Sequence, residues 1–209
     1  MQLVSNSFAG GQKIPATCAF GVPDPKQHVV WGHNRNPHLA WSGAPAGTRS
    51  FAVLCVDGDV PSKGDDANRE GRTIPRDLPR VDFVHWILID LPPHLTSIDE
   101  GEFSSQVTQR GKSGPAAPRG ARQGLNDYTR YMAGNKDMSG DYFGYDGPCP
   151  PWNDLLPHRY VFTVYALDID RLPLEGRFFG DQVQAAMKGH ILAQASLTGV
   201  YTLNPAVAV

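Results

Sequence analysis

The chain has 209 residues, 41% of them hydrophobic, and a formal net charge of −2, which is the size and balance of one globular domain spanning 1–209. That balance excludes the basic field a nucleic-acid binder needs, and no apolar stretch reaches membrane-spanning length, so neither nucleic acid nor integral membrane association is expected. The start, MQLVSNSFAGG, has no basic or apolar leader, and Cys18, Cys55 and Cys149 lack CxxC spacing; both features suit a reducing compartment, and the cytoplasm is the expected location.

Glycine (22) and proline (18) are frequent and the apolar runs are short, which points to a mainly β architecture. Residues 1 to 33 hold weak strand candidates such as Gln27 to Trp31. Gly43, Pro45 and Gly47 then mark turns ahead of Phe51 to Val56, a continuous apolar strand. That strand is expected to stop at Asp57, with Gly58, Asp59, Val60 and Pro61 as a turn. Lys63 to Asp82 holds five basic and five acidic residues and reads as a solvated excursion or a lid. Val84 to Ile89 is a second apolar strand, interrupted only by His85 and ended by Pro92-Pro93. Ser104 to Tyr145, with seven glycines, reads as a long loop.

The segment from Gly144 to Asp168, GYDGPCPPWNDLLPHRYVFTVYALD, joins a stiff turn to a strand. Proline fixes φ and lacks a backbone donor, so Gly147 to Pro151 cannot continue a sheet. Tyr160 to Leu167, aromatic and β-branched, reads as a buried strand. Further on, Asp181 is expected to cap a short amphipathic helix that carries Val183, Ala186 and Met187 and ends at Gly189. Ile191 to Leu203 supplies a final strand or two. If its edge is open, it leaves room for a homodimer.

Asp57 closes one predicted strand, His85 lies near the start of the next, and His158 and Tyr160 open a third. In an antiparallel sheet these ends can share a rim, with Pro61 and Pro148 to Pro151 beside it. Two imidazoles, a phenol and turn amides favour an anionic guest such as phosphate or carboxylate, with Asp57 orienting a histidine. Each residue also has a plainer reading: His85 as a core histidine, Asp57 and Asp59 as turn formers, Cys149 as a small hydrophobe, and Trp41 and Trp86 as core. Trp152, among turn residues, is a candidate for the pocket wall. Familiar catalytic patterns are missing: there is no GxSxG, HExxH or GxGxxG, and Asp57, His85, Cys149 and His158 lack the local spacing of a zinc site.

At these residues the chain resembles the phosphatidylethanolamine-binding protein family, which includes the Raf kinase inhibitor proteins and bacterial relatives. NPHLAWSGAPAGTRSFAVLCVDGDVPS is similar to the family's NxSPxLxW, PxGTxSFAL and DPDAPS run. VHWILIDLP is similar to its HWxxxxIP strand, and YDGPCPP with HRYVFTVYALD to its GPCPP and HRYxFxLYALD signature. GHILAQASLTGVY is similar to the helix-to-strand ending of bacterial members. The resemblance implies an antiparallel two-sheet fold with a short C-terminal helix and a small anion-binding surface cavity. It also implies a ligand-binding set of Asp57, Asp59, Pro61, His85, Gly147, Pro148, Cys149, Pro150, His158 and Tyr160. Gly58 stands where the family has a proline, which is expected to loosen the turn holding Asp57, and the long loops at 63–82 and 104–145 are placed to reshape the pocket mouth.

The expected function is therefore binding of a small phosphate-like or phospholipid-headgroup-like anion, with no cofactor, no metal and no catalytic residue assigned. Two alternatives come from other classes. One is a kinase or protease modulator that meets a protein partner through the pocket rim. The other is a hydrolase with His85 or His158 as general base and Asp57 orienting it, although no nucleophile is evident.

Overall fold

The apolar run Phe51 to Val56 is covered on both sides, and the architecture follows from that. Side chains alternate across a strand, so Phe51, Val53 and Cys55 enter one hydrophobic core while Ala52 and Leu54 enter another. The computed structural model describes residues 1–209. In chain order the strands are β1 (Gln2–Val4), β2 (Gly21–Asp24), β3 (His28–Trp31), β4 (Leu39–Ser42), β5 (Ser50–Pro61), β6 (Arg80–Leu91), β7 (Ser97–Ile98), β8 (Gly111–Lys112) and β9 (Arg122–Gln123). Helix α1 (Tyr128–Tyr131), β10 (Asp141–Tyr142), β11 (His158–Leu167), helix α2 (Gly180–Met187) and β12 (Ile191–Tyr201) complete it.

A five-stranded antiparallel sheet runs in the order β12-β11-β5-β6-β9. One face meets the three-stranded antiparallel sheet β1-β4-β7 around Trp41, Trp86, Phe162 and Tyr145, and this is the larger core. The other face is covered by α2 and the segment before it, through Leu172, Phe178, Val183 and Met187. Two small ribbons, antiparallel β2–β3 and parallel β8–β10, complete the sheets. No helix is long and apolar enough to cross a membrane.

Several boundaries differ from those expected. Gly58 to Pro61 is not a terminating turn; β5 runs on to Pro61, and the register steps from Asp57↔Phe83 to Val60↔Val81. The extra residue on β5 is absorbed as a bulge, which turn-forming residues permit without ending the pairing. β6 begins at Arg80 rather than Val84, so the end of the charged excursion is strand. The stretch from Ser104 to Tyr145 contains β8, β9, α1 and β10 rather than a bare loop. The helix starts one residue before Asp181: the amide of Phe179 donates to the Gln182 side chain at 2.9 Å, and Asp181 sits in the first turn, where a negative charge suits the helix dipole. Gly189, at φ 87°, takes up the left-handed conformation just past the helix end. The final stretch forms one strand, β12.

Candidate functional site

Three adjacent strands deliver the polar groups to one hollow. Tyr160 on β11 pairs with Asp57 on β5, and Asp57 pairs with Phe83 on β6, so the three lie side by side near the same end of the sheet. His85 reaches them through an irregularity. Cys55 pairs with Trp86 and Val56 with Val84, leaving His85 as an extra residue. The bulge turns the imidazole to the pocket while Trp86 enters the larger core.

The hollow has a volume of about 250 Å³. Asp57, Pro61, His85, Cys149, Pro150, His158 and Tyr160 line it, as does Pro151. The other expected members stand behind the wall. Asp59 is buried and accepts from the Arg159 side chain at 2.9 and 2.8 Å and from the Arg159 amide at 2.9 Å. The Gly147 amide is spent on Asn34 Oδ1 at 2.8 Å, and Pro148 lends its carbonyl oxygen to the amides of Phe20 and Gly21. Trp152 stacks on His28 with ring centroids 3.9 Å apart, outside the lining.

His158 departs most from expectation. It is fully buried, and both ring nitrogens are taken: Nδ1 donates to Asp57 Oδ2 at 2.7 Å, and Nε2 to Asp154 Oδ2 at 3.1 Å. Burial alone would depress its pKa, but hydrogen bonds to Asp154 and Asp57 outweigh burial and raise it to about 9. His158 is thus an imidazolium that holds Asp57 in place and has no proton to offer a guest. Burial would also raise the Asp154 carboxyl, yet bonds from His158 and from Arg80, at 2.6 Å, hold it below the usual carboxylate range. Asp57 is further fixed by the Asp59 amide, 2.8 Å from Oδ1, so Gly58 does not leave it loose.

His85 is the histidine that faces the hollow with a free nitrogen. Its Nδ1 lies 2.7 Å from the Asp146 carbonyl oxygen, and its Nε2 lies 4.0 Å from Asp57 Oδ2. Burial lowers its pKa, with Asp57 pulling the other way. Asp146 grips the same residue again through its amide, which donates to the His85 carbonyl at 3.0 Å. Its own carboxylate is satisfied by Asn34, Lys112 and Asn126 at 2.7, 2.9 and 2.8 Å. The turn amides expected as donors reduce to one, because Pro148, Pro150 and Pro151 have none and Gly147 is engaged; the Cys149 amide finds no acceptor within the protein. The Tyr160 hydroxyl is buried beside the Asp57 carboxylate without a hydrogen bond of good geometry.

Sequence reasoning missed the aromatic wall. Phe83, Tyr128 and the exposed Tyr131 line the hollow, and Phe83 and Tyr128 lie 4.8 and 5.6 Å from the His85 ring. Gly64, Ala67 and Asn68 of the charged excursion also line it, and Asn68 accepts from the Trp152 amide at 3.0 Å. The one signal for Asp154 was its i, i+4 spacing from His158. Tyr128 and Tyr131 carried none, because α1 was not legible.

Fold and site together define an antiparallel two-sheet β protein with a small hollow at its strand ends, walled by polar and aromatic side chains. The chain belongs to the phosphatidylethanolamine-binding protein family, whose sequence pattern matches residues 4–202. It is 31% identical over 97% of its length to the UPF0098 protein YbhB of Escherichia coli, all of which is covered. It is 34% identical over 85% of its length to a UPF0098 protein of Methanothermobacter thermautotrophicus, of which 89% is covered. The crystal structure of E. coli YbcL, described as a new member of the mammalian PEBP family, matches with a TM-score of 0.68 at 27% identity, covering 96% of this chain and 97% of that one. A putative phosphatidylethanolamine-binding protein homolog of Chlamydia trachomatis matches with a TM-score of 0.64 at 29% identity, covering 96% and 95%. Family membership supports a ligand-binding role.

Proposed function

We propose that this pocket binds small anions of the phosphate or phospholipid-headgroup type, as the ligand-receiving part of a regulatory protein. The observation that carries the reading is the Tyr160 hydroxyl, buried in the pocket wall beside the Asp57 carboxylate and without a hydrogen bond of good geometry. Buried polar groups are nearly always paired, and a guest oxygen would complete this one. The Cys149 amide is a second free donor, held by prolines whose φ is fixed, so little ordering is lost on binding. The family's name fits a phosphate-bearing guest.

Hydrolysis is less well served. Burial pushes the Cys149 thiol up to about 12, so it is not a thiolate near neutral pH. His158 has both nitrogens committed, which leaves His85 alone as a base. Isothermal titration of wild type and Tyr160→Phe with phosphate and phosphoethanolamine is the test. Wild type should bind and the variant should bind about three- to tenfold more weakly, the range for one lost hydrogen bond. No binding to wild type, or equal affinity in the two proteins, would remove the reading.

A further inference from the structure

Residues 63–73 lie against the hollow, yet no apolar side chain anchors them. The stretch reads KGDDANREGRT, and none of its residues joins a hydrophobic core. Gly64, Ala67 and Asn68 line the hollow, and firm burial resumes only at Ile74, 2% exposed. A segment that buries no apolar side chain gains little free energy from staying in place.

One side chain does most of the holding. Asn153, 4% exposed and just past the proline turn, accepts the Asn68 amide at 2.9 Å. Its own amide donates to the carbonyl oxygens of Asp66 and Arg72 at 2.8 and 3.0 Å. Asn68 in turn accepts the Trp152 amide at 3.0 Å. Glu70 bonds His28 Nε2 at 2.6 Å, on the ring that stacks on Trp152. Every hydrogen bond from this stretch to the rest of the fold ends on Trp152, Asn153 or His28.

The two ends are fixed by other means. Ser62 donates its amide to the Pro79 carbonyl at 2.9 Å. Ile74 donates to the Asn153 carbonyl at 3.1 Å and accepts the Leu155 amide at 3.0 Å. Between these ends Gly64 and Gly71 have open space around them, and Gly71 takes the left-handed φ of 69°.

We propose that residues 63–73 form a strap over the hollow that opens as one unit between its fixed ends, with Asn153 as the pin. Asn153 does not line the hollow, so it is a positioning residue that keeps Gly64, Ala67 and Asn68 in the wall. Opening breaks a few polar bonds and uncovers almost no apolar surface, so the strap moves while the sheet stays folded. Closed, it completes the wall; open, it clears that side for a guest to enter and leave. The strap stands on its own contacts, and its service to a guest rests on the anion-binding reading above.

Trypsin tests it, because a protease cuts a folded loop only after that loop opens locally. Arg72 lies in the strap, and the exposed Arg171 lies outside it as an internal reference. Cleavage after Arg72 should be at least about tenfold faster in Asn153→Ala than in wild type, since several bonds vanish together, with cleavage after Arg171 unchanged. His28→Asn removes the Glu70 contact and suits the φ of 63° at that position. It should speed the same cleavage about two- to fivefold, the range for an exposed pair. Equal rates in wild type and both variants overturn the strap. So does matching acceleration after Arg171, which would mean that the whole fold opens. If Asn153→Ala does not fold, His28→Asn decides. Inorganic phosphate that binds by calorimetry and slows cleavage after Arg72 in wild type supports the strap as the cover of the guest site. Phosphate that binds and leaves that rate unchanged overturns this role. Absence of phosphate binding sinks the anion reading alone, and the variant series still decides the strap.

Discussion

His158 carries its positive charge at a point where water does not reach, and its two carboxylate partners make that charge depend on folding. The folded pKa, about 9, lies above the ordinary 6.5. The resulting stabilisation is complete below pH 6.5 and disappears as pH rises through 9, a loss on the order of 3 kcal/mol. His85 acts in the opposite sense: its lowered pKa withdraws stability as pH falls below 6.5. Urea unfolding from pH 5 to 9 should therefore show a maximum between pH 6 and 7 and a steady decline above it. A flat profile from 6.5 to 9 would contradict the imidazolium assignment. Asp154→Asn should flatten that decline and cost about 3 kcal/mol at pH 7, because it leaves Arg80 and His158 short of a buried partner.

At the scale of elements, bulges and one stiff turn place the pocket. Without the extra residue at His85, strict alternation would aim its ring away from the hollow, with Ile87 and Ile89. The turn from Gly147 to Pro151 has equally little freedom. A Cβ on Gly147 would lie 2.1 Å from the Cys18 carbonyl oxygen and 2.8 Å from the Tyr145 hydroxyl, itself bonded to that oxygen at 2.7 Å. Gly147→Ala should therefore cost about 3 kcal/mol, a fall in Tm of roughly 6–12 °C by calorimetry. Gly64→Ala has nothing within 4 Å and serves as the control, with a change below about 1 kcal/mol. If the two variants melt alike, the turn is not held as described. The glycine-proline run was legible as a stiff segment. Its backbone contact with Cys18 was not, because that partner lies far away in sequence.

Across the whole molecule, one central sheet serves two cores, and a buried ion pair ties its β9 edge to the chain ahead of α2. Arg122 binds Asp90 at 2.5 Å, the Leu172 carbonyl at 2.8 Å and the Leu174 carbonyl, while Asp90 also accepts the Leu172 amide at 2.9 Å. Arg122→Ala should cost about 3–5 kcal/mol in chemical denaturation, the range for a charge left buried and unpaired. Asp90→Asn with Arg122→Leu should recover part of that loss. Anion binding by the folded protein should not change, since no shared partner links this pair to the hollow. A loss below about 1 kcal/mol in the single variant would mean that this edge opens without consequence.

The residues themselves determined the mainly β class, the strand buried on both faces, the α2 segment and the chemical identity of the groups around the pocket, because burial pattern and backbone preference are local properties of a chain. Only the tertiary structure decided which groups face the guest. It gave both His158 nitrogens to carboxylates, turned His85 inward through a bulge, hid Asp59 behind Arg159 and built an aromatic wall from Phe83, Tyr128 and Tyr131. Those outcomes depend on register between strands far apart in sequence, and a one-residue step in register changes which face a side chain occupies.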